Sequence, residues 1–455
     1  LHACNPAATA TPQTTARLAD PLRLQSGGNP PLREREGESH VEESRSPGAG
    51  IFRVGAPLFA NEGDVPKGVP HLDHIFVIMM ENHAYGQIVG NPDAPFTNKY
   101  MHTANAANNY LAIGHPSLTN YLEVVGGSNF GVLTDNLPDW HNTNCVTNLA
   151  SEIVATDVPA SPDICPIWGT GTDAATAVFD FTNETTPPSI TQVTNIDGVE
   201  SIPAAKNISG MTIADQLDEH GMTWKSYQES LPPAGADGVN NSDGFFSNLI
   251  PVASLLPAET QTLVNLYAVK HNPFAYFQNI QQGGDADNSL KNMVGFEGKG
   301  GLFEDLESGH VPNYSFIAPN QCNDQHGRGN AGPLCDFDPS TLGTQVGLNP
   351  ALIHQGDLTI RNLVKAIHSS PAWERDRNAI VVLWDENDYS ATPNVNQVLL
   401  IVDTNYGEHG VQSTRRYTHF SLLKTIEGGF GLPCLNHACD ENTNVMRDLF
   451  AVDHD

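Results

Sequence analysis

The sequence predicts an α/β protein, with a mainly parallel sheet and helices on both faces. Three observations predict it. Short apolar runs at 75–80, 314–318, 379–384 and 397–402 have the length of buried strands and are too short for a confident helix. Amphipathic helical stretches stand among them. Buried strands that alternate with such helices imply parallel pairing with both sheet faces covered.

Taken in chain order, residues 1–68 are rich in Pro, Ala, Thr, Gly and Glu and hold no period. They read as a disordered N-terminal tail or tether. The folded body is expected at 69–455. It opens with the run at 75–80, which leads directly into Glu81-Asn82. Ser117 sits near an expected helix start. Residues 166–205, rich in Thr, Ala and Pro, read as a surface insertion. A helix is expected from Ile213, with Thr212 as N-cap and Ile213, Ala214 and Leu217 on one face. The run at 314–318 leads into Pro319-Asn320 and then Asn323-Asp324-Gln325-His326. A second helix is expected over 357–369. The run at 379–384 leads into Asp385-Glu386-Asn387-Asp388, and the fourth apolar run follows. A third helix is expected from His419 to Phe430, stopping at Gly431.

Charge excludes whole function classes. The chain carries 22 Lys and Arg against 52 Asp and Glu, a formal charge of -30. Residues 1–70 are nearly balanced, with seven basic and eight acidic residues, so the acidity belongs to the body. A nucleic-acid binder or a polybasic membrane-surface protein needs the opposite sign. No apolar run approaches the roughly 20 residues of a membrane-spanning helix. Six of the seven cysteines form locally spaced pairs: Cys145 with Cys165, Cys322 with Cys335, and Cys434 with Cys439. That spacing favours disulfides and an exported protein, whether secreted, periplasmic or on the cell surface. Glycosylation sequons stand at Asn183, Asn207, Asn240 and Asn313. Leu1-His2-Ala3-Cys4 has the form of a lipoprotein signal end, with Cys4 the residue that would carry a lipid anchor, although four residues also match by chance.

The chemistry is expected where strands end. In open α/β sheets, ligands bind beyond the carboxyl ends of the strands. Three strands deliver Glu81 and Asn82, Asp324 and His326, and Asp385 through Asp388 to that edge. An oxygen-rich set suits a hard divalent cation, and a neighbouring imidazole admits Zn²⁺ or Mn²⁺ beside Ca²⁺ and Mg²⁺. An acidic turn is the simpler reading of 385–388 taken alone; two acidic clusters after two buried strands favour a metal site. Ser117, at a helix start where backbone N–H groups favour an anion, is a candidate nucleophile as well as a candidate cap.

Several blocks carry a family resemblance. They are Phe76-Val-Ile-Met-Met-Glu-Asn-His83, His115-Pro-Ser-Leu-Thr-Asn-Tyr-Leu122, His271-Asn-Pro-Phe274, Trp384-Asp-Glu-Asn-Asp388, Tyr417-Thr-His-Phe-Ser-Leu-Leu423 and Gly431-Leu-Pro433. In order and spacing, from residue 71 to about 450, they resemble the phosphoesterase family of bacterial acid phosphatases and phospholipases C, and most of all the secreted acid phosphatases. The resemblance implies an alkaline-phosphatase-like fold and metal-dependent hydrolysis of phosphate esters. It implies Glu81, Asn82, Ser117, Asp385 and Glu386 as metal ligands, Ser117 as nucleophile, and His271 and His326 around the phosphate, with His326 a general acid. The sequence departs from the family pattern at Gly327, where Asp is frequent, at Thr119, where Pro is common, and at Tyr389, where a small residue is common. Those positions bear on the pocket wall. His419 lies in a recurring block, as a site residue or as a packed helix histidine.

The expected substrate is a small phosphate monoester. A phospholipase C acting on phospholipid headgroups is the first alternative, and a surface protein with an inactive phosphatase-like domain is the second.

Overall fold

The computed structural model describes residues 62–132, 135, 208, 210–231, 245–246, 250–251, 266–282, 285–327, 333–338, 344–388 and 395–450. Expectations for residues 1–61, the Cys145–Cys165 pair, the 166–205 insertion, the sequons at Asn183, Asn207 and Asn240, and Tyr389 lie outside that set.

The strands are β1 His74–Met80, β2 Asn105–Leu111, β3 Trp224–Gln228, β4 Phe245–Phe246, β5 Ile250–Pro251, β6 Met293–Val294, β7 Tyr314–Ala318, β8 Asn378–Trp384, β9 Gln397–Thr404, β10 Gln412–Ser413 and β11 Tyr417–Thr418. Among the described residues the main sheet runs β10-β2-β9-β8-β1-β7-β3-β6, with β11 also on β2; β4 and β5 pair separately. At its centre β1 lies parallel to β7 and β8, with Ile75 opposite Tyr314 and Ala379. Ile75 through Met80 are fully buried. They form an unbroken apolar run because both faces of the strand are covered.

Parallel pairing does not extend across the whole sheet. Strand β9 is antiparallel to both β8 and β2. The link from β8 to β9 spans only 385–396 and opens with the acidic cluster, at the lower limit of what a crossover to a parallel strand needs. Strands β2 and β3 form no apolar run; Asn-Ala-Ala-Asn-Asn-Tyr-Leu becomes a strand through pairing with β9, β10 and β11.

The helices form local groups. Helix Ser117–Gly126 packs with His419–Phe430, and Pro95–Thr103 packs with Pro350–His368. The helix at Ile213–Glu219 starts at Thr212 as expected, with Thr212 N donating to Asp215 Oδ2 at 2.7 Å. Helix His419–Phe430 stops at Gly431, which has φ +70°. The helix expected over 357–369 starts seven residues earlier, because Asn349 caps it and Pro350 fills its first turn. Asp357 therefore lies inside this helix, and its buried carboxylate accepts the Phe96 and Thr97 N–H groups at the start of Pro95–Thr103. Helix Ser117–Gly126 is buried along its whole length. Gly127 ends it at φ +68°, and a Cβ there would stand 2.5 Å from Leu435 O.

The last seven residues of the expected tail lie on the body. Glu62 bridges Leu435, and Gly63 N donates to Cys434 O at 2.9 Å. Two expected disulfides are present, Cys322–Cys335 and Cys434–Cys439. The fourth sequon is engaged in packing: Asn313 Oδ1 accepts Thr223 N at 2.9 Å, and its Nδ2 donates to Asp73 O. No helix among the described residues is long and apolar enough to cross a membrane.

Glu427 is a buried acid away from the strand ends. Its Oε1 accepts Leu435 N at 2.9 Å, while Oε2 lacks a hydrogen bond among the described residues. Burial raises its carboxyl well above the usual range, against the pull of the Leu435 N–H and Lys424. The folded chain therefore binds a proton here that the unfolded chain releases, and stability falls as pH rises above the ordinary carboxylate range. Glu427→Gln keeps the acceptor and removes the charge. Thermal melts should show the variant more stable at pH 7, by about 2–4 °C per kcal/mol relieved, with the gain shrinking toward pH 4. A variant less stable than its parent at pH 7 would refute this.

Candidate active site

The strand ends converge as the sequence implies. Asp385 N donates to Met80 O and Glu81 N to Asp324 O, so the segments after β1, β7 and β8 are tied together. Asn82 leaves β1 at φ +20°, and its N–H donates to Asp385 Oδ1 at 3.0 Å. Ser117 is the first residue of its helix, and Pro116 holds the cap position. Its hydroxyl is 3.0 Å from Glu81 Oε2 and 3.4 Å from Glu386 Oε1. The side chain therefore faces two carboxylates and caps no helix amide.

Glu386 is held on its other side. Asn120 Nδ2 donates to Glu386 Oε2 at 3.2 Å, and His115 Nδ1 lies 2.5 Å from the same oxygen. His271 stands between Glu81 Oε1 at 3.0 Å and Asp324 Oδ2 at 3.3 Å, its ring stacked on Tyr121. Despite those carboxylates, burial and then the charges of Lys270 and His326 hold the imidazole well below its usual pKa. A neutral ring is the form that ligates a metal.

Lys270 is a buried ammonium, 3.2 Å from Asp135 Oδ2 and 3.3 Å from His326 Nε2. The other oxygen of Asp135 accepts Leu118 N at 3.0 Å, one residue after Ser117. His326 Nδ1 lies 2.9 Å from Gly327 O, so that nitrogen donates and Nε2 is the acceptor facing Lys270.

Four buried carboxylates, from Glu81, Asp324, Asp385 and Glu386, thus meet at one edge. Burial pushes Glu81 up to about 7 against the pull of Lys270, and burial, with repulsion from Glu81 adding to it, raises Asp324 and Asp385 well above their usual range. Among the described residues, Glu81 Oε1, His271 Nε2, Asp324 Oδ2 and Asp385 Oδ2 are buried and, ion-pair contacts aside, accept or donate no hydrogen bond. Glu81, His271 and Asp324 offer ligand atoms that all lie within 4.8 Å of one another. Buried anions with unsatisfied lone pairs fit a divalent cation, which would offset their desolvation cost.

Of the expected site residues, Glu81, Ser117 and Glu386 touch directly, and His271 joins Glu81 from the far side. The Asn82 backbone binds Asp385, and His326 donates its backbone N–H to Asp324 Oδ1 at 2.7 Å while its ring faces Lys270. His419 bonds to the Asp385 backbone carbonyl at 2.6 Å and to the Tyr110 hydroxyl at 2.9 Å. It is a packed helix histidine that holds the acidic loop. Sequence reasoning missed Asp135, Lys270, His115 and Asn120 as site residues. It found Asp324 only as part of a strand-end cluster, whereas the structure places it opposite Glu81. Lys270 adjoins His271 and His115 adjoins the Pro116-Ser117 pair, so adjacency was an available signal for those two. Asp135 carried none.

Fold and site together define a mixed-sheet α/β protein whose strand ends hold a buried serine among carboxylates and histidines. The family model described as the Phosphoesterase family matches residues 91–332. The chain belongs to that family. An acid phosphatase from Aspergillus fumigatus is 26% identical over 250 residues, covering 55% of this chain and 45% of the relative. A phosphate-repressible acid phosphatase from Penicillium chrysogenum is 25% identical, covering 55% of this chain and 49% of the relative. The chain thus spans about half the length of these fungal relatives. A phosphatidylinositol-3-phosphatase from Mycobacterium tuberculosis is 22% identical over 83% of each chain. Among solved structures, an alkaline phosphatase superfamily protein from Vibrio parahaemolyticus aligns with a TM-score of 0.40 at 12% identity, covering 84% of this chain and 72% of that one.

Proposed function

We propose that the chain is an exported phosphoric ester hydrolase that acts on small phosphate monoesters through Ser117. The observation that carries this reading is the Ser117 hydroxyl, buried at a helix start and 3.0 Å from Glu81. The acid phosphatase relatives and the two disulfides support it. The 69–455 body acts as one catalytic domain, and 1–68 as its leading tail, with residues 62–68 docked.

Ser117 Oγ attacks phosphorus in line, forming the Oγ–P bond as the ester P–O bond breaks. Its proton passes to the adjoining carboxylates. The departing alkoxide takes a proton from the His326–Lys270 pair. Water then attacks phosphorus and the Oγ–P bond breaks; the water's proton returns to the His326–Lys270 pair, the carboxylates return the serine's proton to Oγ, and inorganic phosphate leaves. Glu81, His271 and Asp324, with Asp385, Glu386 and the side chains of Asn82 and Ser117, are the residues that would hold a divalent cation. When bound, it would neutralise charge on the phosphoryl oxygens and favour ionisation of the serine. Lys270 is the protein's own cation in this otherwise anionic site, and it adds to that neutralisation.

Hydrolysis of p-nitrophenyl phosphate and glycerol 2-phosphate, read as inorganic phosphate, set against bis-p-nitrophenyl phosphate and phosphatidylcholine, read as p-nitrophenol and phosphocholine, tests the reading. Each assay is run with Ca²⁺, Mg²⁺, Mn²⁺ or Zn²⁺ added. Monoesters are expected to turn over at least about tenfold faster than diesters, a gap of about 1.4 kcal/mol in barrier. Preference for the diesters would favour the phospholipase C alternative. Failure on all four would favour a phosphatase-like domain without activity.

A further inference from the structure

We propose that Phe337 determines specificity, giving the site a preference for phosphate monoesters whose leaving group is aromatic. This inference rests on the phosphomonoesterase reading above.

Phe337 is 44% exposed, and it is the one aromatic among the large exposed hydrophobic residues of the described chain. An aromatic ring left in water gives up burial it could otherwise gain. Here the ring stands beside His326, with centroids 6.1 Å apart and planes at 70°. His326 is the group that faces the departing oxygen in the proposed reaction. A substrate with its phosphate near Ser117 and its leaving oxygen near His326 would therefore carry its organic part toward Phe337.

The short segment that presents Phe337 is clamped from several sides. Cys335 is bonded to Cys322, in the turn just after β7. Asp338 Oδ2 lies 2.6 Å from His83 Nε2, and His83 Nδ1 donates to Glu81 O at 2.9 Å. Asn349 donates its backbone N–H to Asp338 Oδ1 and its side-chain amide to Asp336 O and Pro333 O. A surface loop with no task does not require three anchors around one exposed ring.

Gly327 completes the arrangement. It has φ +90°, and a Cβ there would lie 3.2 Å from both Cα and Cδ1 of Phe337 and 3.3 Å from Leu352 Cδ2. Glycine at this position, with its positive φ, leaves Phe337 its place beside His326 without strain. The Phe337 ring thus presents an aromatic face beside His326. Offset or edge stacking on such a face favours a flat aryl group over a small polyol.

The test measures kcat and KM for p-nitrophenyl phosphate and glycerol 2-phosphate in the parent, Phe337→Ala and Phe337→Trp. Comparing variant with parent on each ester cancels the difference in intrinsic reactivity. In Phe337→Ala, kcat/KM for the aryl ester should fall about three- to tenfold through KM, the range an aromatic contact supplies. The glycerol ester should change less than about twofold, and Phe337→Trp should restore the aryl preference. An equal loss on both esters would overturn the proposal and leave Phe337 a packing residue. So would no change on either ester. A parent inactive on both esters with every added metal would overturn the phosphomonoesterase reading itself, and this inference with it.

Discussion

Ser117→Ala is expected to lower kcat for phosphate monoesters by about a thousandfold or more, the scale on which loss of a covalent nucleophile is felt. The geometry separates this outcome from a structural one. Ser117 occupies the first turn, the cap position belongs to Pro116, and the hydroxyl faces Glu81 and Glu386. Removing it deletes the hydroxyl's contacts to these two carboxylates at a net cost of about 1–3 kcal/mol. The helix keeps its buried apolar contacts through Leu118, Tyr121, Leu122 and Val125. Circular dichroism should be unchanged and the melting temperature only modestly lower. A variant that retains near-normal turnover would sink the nucleophile assignment and the phosphoserine route with it.

Glu81→Gln is the second large effect. Glu81 belongs both to the ligand set implied by the family blocks and to the cluster with His271 and Asp324. Losing its charge should lower bound divalent metal, read by elemental analysis of the purified protein, together with activity by about a hundredfold or more. Stability supplies a readout independent of activity. In the metal-free chain, burial raises the Glu81 carboxyl to about 7. The folded state then holds this proton to higher pH than the unfolded state, and stability falls as pH climbs from the usual carboxylate range through 7. Glu81→Gln removes that loss, so the metal-free variant should melt above the metal-free parent at pH 8. With saturating metal the order should reverse, because the parent gains binding energy that the variant lacks. Equal metal content in the two proteins would remove Glu81 from the ligand set.

The elements that were legible share one property: burial on both sides leaves a mark in the sequence. Strands β1, β7, β8 and β9 appear as apolar runs because each is covered above and below. The helices at Ile213–Glu219 and His419–Phe430 announce their ends with Thr212 and Gly431. The start of Pro350–His368 was placed too late because its first turns mix polar and apolar residues. The Asn349-Pro350 cap was the better signal. Strand β2 was not legible, since Asn-Ala-Ala-Asn-Asn-Tyr-Leu has no pattern of its own and is a strand by virtue of its neighbours.

The site divides along the same line. Glu81, Asn82, Asp385 and Glu386 were readable because each directly follows a buried strand, and parallel strands bring their carboxyl ends to one edge. Ser117 and His271 were readable from the family blocks, and His326 from the cluster that follows the run at 314–318. Lys270 and Asp135 were not. Their meaning lies in a contact across 135 positions of sequence that also reaches His326 and the amide after Ser117. Phe337 shows the same limit. It looks like any loop phenylalanine until a disulfide, Asp338 and Gly327 place it beside His326.

The sequence by itself determined an acidic α/β body, the strand ends that carry carboxylates, and the family. Those features are local, or they recur in fixed order along the chain. Which carboxylate faces which histidine, where the buried Lys270 ammonium stands and which ring lies beside His326 follow from the tertiary structure alone. Those depend on register and crossover, which bring together residues hundreds of positions apart, and no local period encodes such a distance.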